Sequence, residues 1–169
     1  MNQLRILRPG DLEQLLAVYQ DAVLTQAVGL YTPAQIEAWS GHAASSNVLE
    51  LSLTAGQGVG SYERQNPARL EAFGILEPAD RLALLYCRGS ASRRGHASNI
   101  LNRLESDALG NGIRRLRTEA SQLSRPLLLR RGWQVEAPET VEIGGESFLR
   151  WRMIKYLSPP PPGADRDRG

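Results

Sequence analysis

Between Arg81 and Leu109 an apolar run, a basic glycine-bearing turn and an amphipathic helix pattern follow one another, and no other stretch constrains the fold as tightly. Residues 81–87, Arg-Leu-Ala-Leu-Leu-Tyr-Cys, read as a strand. Residues 88–98, Arg-Gly-Ser-Ala-Ser-Arg-Arg-Gly-His-Ala-Ser, read as a loop opening a helix whose apolar face carries Ala97, Ile100, Leu101, Leu104 and Ala108. A crossover helix of this kind joins parallel neighbours, so the next strand is expected beside this one. The helix start is also a ready anion site, because its first N–H groups lack partners and the helix dipole favours negative charge. With Arg93 and Arg94 beside the turn, phosphate is the natural guess for what sits there.

The rest of the chain supplies a sheet and its covering helices. Leu4 to Leu7 reads as a first strand, Pro9-Gly10 breaks it, and Asp11 caps a helix in which Leu12, Leu15, Leu16, Tyr19 and Val23 recur at helical spacing to about Thr25. Thr32 caps a second helix with Pro33 in its first position. Residues 48–53 alternate like a strand and suit a helical turn equally. Gly58 to Arg64 and Leu70 to Leu76 read as antiparallel strands around Gln65-Asn-Pro. Arg115 to Glu119 is a further strand, residues 124–133 form a short helix closing on glycine, and Gln134 to Ile143 pairs with Glu146 to Tyr156 around Gly144-Gly145. This order predicts an α/β (α+β) fold, with a mixed sheet and helices on its faces. Residues 1–157 are expected to form one domain and 158–169 an extended, disordered proline-rich tail. Gly58-Val-Gly60 lacks the third glycine and the following helix of a dinucleotide site and is set aside.

Composition narrows the function classes. The 169 residues suffice for a real core, and 41% apolar with 22% charged content is ordinary for a globular protein. No apolar run is long enough to span a membrane, and no secretion signal is read at the N-terminus. A lone cysteine, Cys87, leaves no internal disulfide and points to a reducing, cytoplasmic setting. The pI of about 9.0 invites nucleic acid. The net charge of +2 and the scatter of the arginines argue against it.

Ser92-Arg93-Arg94-Gly95-His96-Ala97 resembles the acetyl-coenzyme A motif of the GNAT superfamily of N-acetyltransferases: Gln or Arg, two residues, Gly, one residue, then Gly or Ala. Ser92 departs from the first position; Gly95 and Ala97 fit. Thr118-Glu-Ala-Ser followed by residues 125–133 is similar to the family's second block, and residues 31–39 resemble the substrate-side helix of a bacterial branch. Residues 148–153 resemble that branch's last strand. The resemblance spans Leu4 to Leu157. It implies a mostly antiparallel sheet splayed at an acetyl-CoA site, and direct acetyl transfer to an amine of a small molecule or protein, with no metal. It also implies that the end of the central strand (Leu85, Tyr86, Cys87) bonds the pantetheine arm through its backbone. The turn of Arg93, Arg94, Gly95, His96, Ala97 and Ser98 would hold the pyrophosphate on N–H groups.

Single residues carry alternatives. Glu119 is the candidate general base, since an amine of pKa ~10 is only about one part in a thousand neutral at pH 7, a deficit of roughly 4 kcal/mol. It equally suits a strand-end carboxylate paired with Arg117 or Arg115. His96 occupies the motif's variable slot and is expected to face solvent. Cys87 is read as a small buried side chain, not a nucleophile. Leu128 stands where many family members place a tyrosine that protonates the leaving thiolate, and Ala83 and Leu84 stand where the branch often carries Asp and His. Ser121 and Ser124 are the nearby hydroxyls that would substitute. Tyr31 and Trp39 either pack the second helix or line the acceptor pocket. The stripped positions also motivate a second reading, a non-catalytic acyl-CoA sensor or interaction module. Residues 148–153 are read as a dimer edge.

Overall fold

A computed structural model describes residues 2–158. The tail expected over 158–169 therefore lies, except for Ser158, outside the described residues. Seven strands form one sheet in the order β1-β2-β3-β4-β5-β7-β6. They are β1 (Asn2–Ile6), β2 (Gln57–Glu63), β3 (Asn66–Leu76), β4 (Arg81–Cys87), β5 (Arg115–Ala120), β6 (Gln134–Ile143) and β7 (Glu146–Tyr156). Helices α1 (Leu12–Gln26), α2 (Pro33–Ser45) and α3 (Val48–Ala55) lie on one face of the sheet, and α4 (His96–Gly110) and α5 (Arg125–Arg130) on the other. All neighbouring strands are antiparallel except β4 and β5, which α4 connects as a parallel pair.

Local chemistry explains most element boundaries. Thr32 and Gln35 close a reciprocal capping box on α2, with Thr32 Oγ1 accepting the Gln35 N–H at 3.1 Å and Gln35 Oε1 accepting the Thr32 N–H at 2.9 Å. Asp11 makes no such cap. Its carboxylate accepts from the Arg8 N–H at 2.7 Å and from Arg5 at 2.7 and 2.9 Å, which holds its pKa below the ordinary range. The ambiguous 48–53 stretch is helical: Leu49 and Leu53 point into the core one turn apart.

Each face of the sheet buries its own apolar cluster, one around Phe73, Leu15 and Trp39 under α1 to α3, the other around Ile100, Leu104 and Met153 under α4 and α5. Gly74 lets α4 approach closely, since a Cβ there would meet Ile100 Cγ2 at 2.6 Å. β7 pairs with β6 over 146–154 and with β5 over 151–156, so of the expected dimer edge at 148–153, residues 151–153 lie inside the sheet, whereas 148–150 run past the end of β5. In this order the free edges belong to β1 and β6.

Candidate active site

β4 lies at the centre of the sheet, yet its residues 83–87 are only half buried. β4 and β5 pair only at Arg81 with Arg117 and at Leu82 with Thr118. Continued in register, 85–87 would meet 121–123. There the chain leaves the sheet: Ser121 Oγ accepts the N–H groups of Leu123 and Ser124 at 3.1 and 3.3 Å, and Ser124 Oγ accepts the Ser121 N–H at 3.1 Å. This hydroxyl-stitched turn opens a V between the strands, with a cleft of about 830 Å³, within the range of small-ligand sites. Thr118 Oγ1 donates to the Leu82 carbonyl at 2.7 Å and closes the vertex.

Strand alternation decides which main-chain groups of β4 face the cleft. The Arg88 N–H donates to the Glu71 carbonyl of β3 at 2.8 Å, and the β3–β4 register is unbroken from Ala72–Cys87 to Ile75–Leu84. Hydrogen-bonded pairs alternate along an antiparallel ladder, so Tyr86 and Leu84 also turn their N–H and C=O to β3. Leu85 and Cys87 turn theirs to the cleft. Tyr86, expected as a third main-chain contact, therefore offers the cleft its side chain instead. The Cys87 carbonyl is met by Gln26 Nε2 of α1, which donates to it at 2.5 Å.

The loop into α4 forms one end of the cleft. Gly95 is the N-cap, with no side-chain cap, so the first N–H groups of α4 are left to a ligand or solvent. Arg93 has φ +62° and Gly95 φ +85°. For Arg93 this left-handed backbone costs roughly 1–2 kcal/mol, strain of a kind found at ligand sites. Space around Gly95 is open, so glycine is required there for its φ and not for close packing. The two arginines diverge: Arg93 lines the cleft, whereas Arg94 turns outward to Glu63 at 2.7 Å and holds that carboxyl below its usual range. His96 does not face solvent. It is fully buried, its Nδ1 lies 2.7 Å from Ser61 Oγ of β2, and its Nε2 has no hydrogen-bond partner among the described residues. Burial pushes its pKa down, against the upward pull of Glu63.

Across the V, Glu119 lines the cleft, and its Oε2 accepts from Arg81 Nε at 2.9 Å. The partner expected for it was Arg117 or Arg115, but Arg117 is taken by Asp80 at 3.1 Å. A strand reading could not find Arg81, because the pair forms across the parallel junction. Ser121 and Ser124 also line the cleft, with their hydroxyl oxygens 3.4 Å apart. Burial, with help from Glu71 and Asp21, pushes the Cys87 thiol up to about 12, so it is protonated at neutral pH and unsuited to attack. Leu128 is buried beneath the floor and carries no hydroxyl. Trp39 is buried among Tyr31, Tyr86 and Phe148, at ring-centroid distances of 5.2, 6.4 and 6.1 Å, and also lines the cleft. Sequence periodicity left Tyr19 as a core residue; its hydroxyl donates to the Trp39 carbonyl at 2.9 Å and fixes that wall.

Solved N-acetyltransferases share this fold. A GCN5-related N-acetyltransferase from Rhodopseudomonas palustris superposes with a TM-score of 0.85 at 23% identity, covering 93% of this chain and 96% of that one. The PaiA N-acetyltransferase of Thermoplasma acidophilum, solved with coenzyme A, gives a TM-score of 0.73 at 20% identity over 92% of this chain and 99% of that one. At these identities the likeness shows the fold. No family model matches the sequence. A curated relative, the uncharacterised N-acetyltransferase YafP of Escherichia coli K12, is 30% identical over 162 residues, 89% of this chain and 93% of its own length. The chain belongs to the GNAT superfamily of N-acetyltransferases.

Proposed function

We propose that the protein acetylates an amine using acetyl-CoA held between β4 and β5. One observation carries the reading: the free main-chain edge of β4 and the uncapped start of α4 open into the same cleft. The coenzyme A bound to the PaiA neighbour supports it. The residues present fit such a group. A pantetheine arm carries amides, which the free N–H and C=O of Leu85 and Cys87 match, with Gln26 yielding or sharing the Cys87 carbonyl. A pyrophosphate needs convergent donors, which the main chain of Arg93, Arg94, Gly95, His96, Ala97 and Ser98 supplies together with the Arg93 guanidinium. Arg94 braces the loop through Glu63.

Acetyl-CoA supplies the acetyl group as a thioester; the chain handles binding and protons. Glu119 attracts the ammonium and takes its proton directly or through water, while Arg81 holds the carboxylate in place. Ser121 spends its oxygen lone pairs on two N–H groups, which leaves its hydroxyl proton free to donate; Ser124 is the alternative donor. Across the reaction the carbon–sulfur bond breaks and a carbon–nitrogen bond forms; the ammonium gives up two protons, one passing to solvent through Glu119 and one balancing the proton that reaches sulfur. The acceptor is an amine of a small molecule or protein. The lone, protonated Cys87 suits a reducing, cytoplasmic setting. No helix among the described residues is long and apolar enough to cross a membrane.

Thiol release and thermal stability test this together. Acetyl-CoA at 100 times its Kd is expected to stabilise the fold by about 2.7 kcal/mol, and an amine panel is expected to raise thiol release above hydrolysis. Protection without amine-dependent release would make the protein a binder and not an enzyme. No protection at all would overturn the reading.

A further inference from the structure

The cleft has two walls that differ in charge. On β4, Leu84 and Tyr86 pack toward α1 and α2, whereas Leu85 and Cys87 pack toward α4. The wall on the α1 and α2 side is made by Gln26, Leu30, Trp39, Tyr86, Gln122 and Leu123, and none of these is charged. Among the described residues lining the cleft, Glu119 is the only carboxylate. The lining arginines are Arg93, in the loop before α4, and Arg130, on α5, whose neighbours Leu127 and Leu128 pack with the α4 cluster. The arginines beside Glu119 already have carboxylate partners: Arg81 pairs with Glu119 itself at 2.9 Å, and Arg152, opposite Glu119 on β7, pairs with Glu139 at 3.6 Å.

The aromatic part of this wall is rigid. Trp39 Nε1 donates to the Tyr86 hydroxyl at 3.3 Å, and the Tyr86 ring stacks at 4.6 Å from Tyr19 and 5.8 Å from Phe73. The turn that carries Leu30 to the rim leaves it 51% exposed and Val28 69% exposed, so the approach is apolar too. Flat or branched apolar groups match such a surface, and ring faces attract an ammonium.

Resting on the reading of the cleft as an acetyltransferase site, we infer that the acceptor is a compact monoamine with an aromatic or branched apolar body and no carboxylate. One ammonium finds Glu119. A second ammonium, or a carboxylate, would be desolvated without a partner, which costs several kcal/mol.

Steady-state kinetics at saturating acetyl-CoA with phenethylamine, phenylalanine and spermidine test this. Phenethylamine is expected to show a kcat/KM at least about 100-fold above both others, the equivalent of roughly 2.8 kcal/mol of discrimination. Gln122→Glu, which adds a carboxylate to the neutral wall, is expected to raise the spermidine value about tenfold and leave the Kd for acetyl-CoA unchanged. Equal or greater efficiency with phenylalanine or spermidine overturns the inference. So does the absence of turnover with phenethylamine in protein that acetyl-CoA demonstrably protects against heat. If acetyl-CoA gives no protection, the acetyltransferase reading falls first and the acceptor inference with it.

Discussion

The side of the cleft proposed for coenzyme A offers main chain, and the side proposed for the acceptor offers side chains. Around 93–98 the donors are N–H groups, and what the sequence must supply is a residue that tolerates φ +85° at Gly95. On the α1 and α2 side the surface is Trp39, Gln26 and, from β4, Tyr86, each fixed by a partner on another element. A main-chain site survives most side-chain changes and fails when the backbone is forced. A side-chain site changes its ligand with each substitution.

The largest effect is expected at Glu119, the one carboxylate among the described residues that line the cleft. Glu119→Gln should lower kcat by about 100-fold or more, as for loss of a general base, with acetyl-CoA affinity unchanged. Equal losses in kcat and acetyl-CoA binding would show that the Arg81 pair holds the strands and not the proton. Next comes the backbone itself. Gly95→Val places a β-branched residue at φ +85° and should weaken acetyl-CoA binding about 10- to 30-fold, the equivalent of roughly 1–2 kcal/mol of strain. Unchanged affinity by calorimetry would break the main-chain account.

The two adjacent arginines offer a finer comparison. Arg93→Ala should raise the Kd for acetyl-CoA about tenfold, as for loss of one charge-assisted contact. Arg94→Ala should raise it less than about threefold, because its guanidinium is committed to an exposed pair with Glu63. The reverse order would mean that the loop reorganises on binding. The smallest effect concerns His96. Its folded pKa lies below the unfolded value of about 6.5, so the unfolded chain takes up the proton first. Stability from this group is complete above that value and declines as pH falls from there toward the folded pKa. The melting temperature of the wild type should therefore drop between pH 7 and 5, and His96→Gln should flatten that slope. An unchanged slope would assign it to other groups.

Much of the coenzyme wall was legible in the sequence because it depends on local order. The strand ending at Cys87, the glycine before the helix and the apolar face of α4 are all periodic or positional features. The hairpin around Gly144-Gly145 was legible for the same reason. What escaped depends on distant partners. His96 sits in a variable slot one residue from an exposed loop, and only the packing of α4 on β2 buries it against Ser61. Glu119 could be paired by sequence only with nearby arginines, whereas the parallel junction brings in Arg81. The neutral character of the proposed acceptor wall comes from three elements and two turns meeting, and no single stretch of sequence carries it. The pairing of residues 151–156 of β7 with β5 was missed because a hairpin pattern fixes a strand's partner on one side only.

The most direct test of the central claim is a crystal structure of the protein with coenzyme A. The account predicts the pantetheine arm between β4 and β5, hydrogen-bonded to the main chain of Leu85 and Cys87, with the pyrophosphate on residues 93–98. Coenzyme A bound elsewhere, or a cleft that closes without it at saturating concentration, would contradict the account.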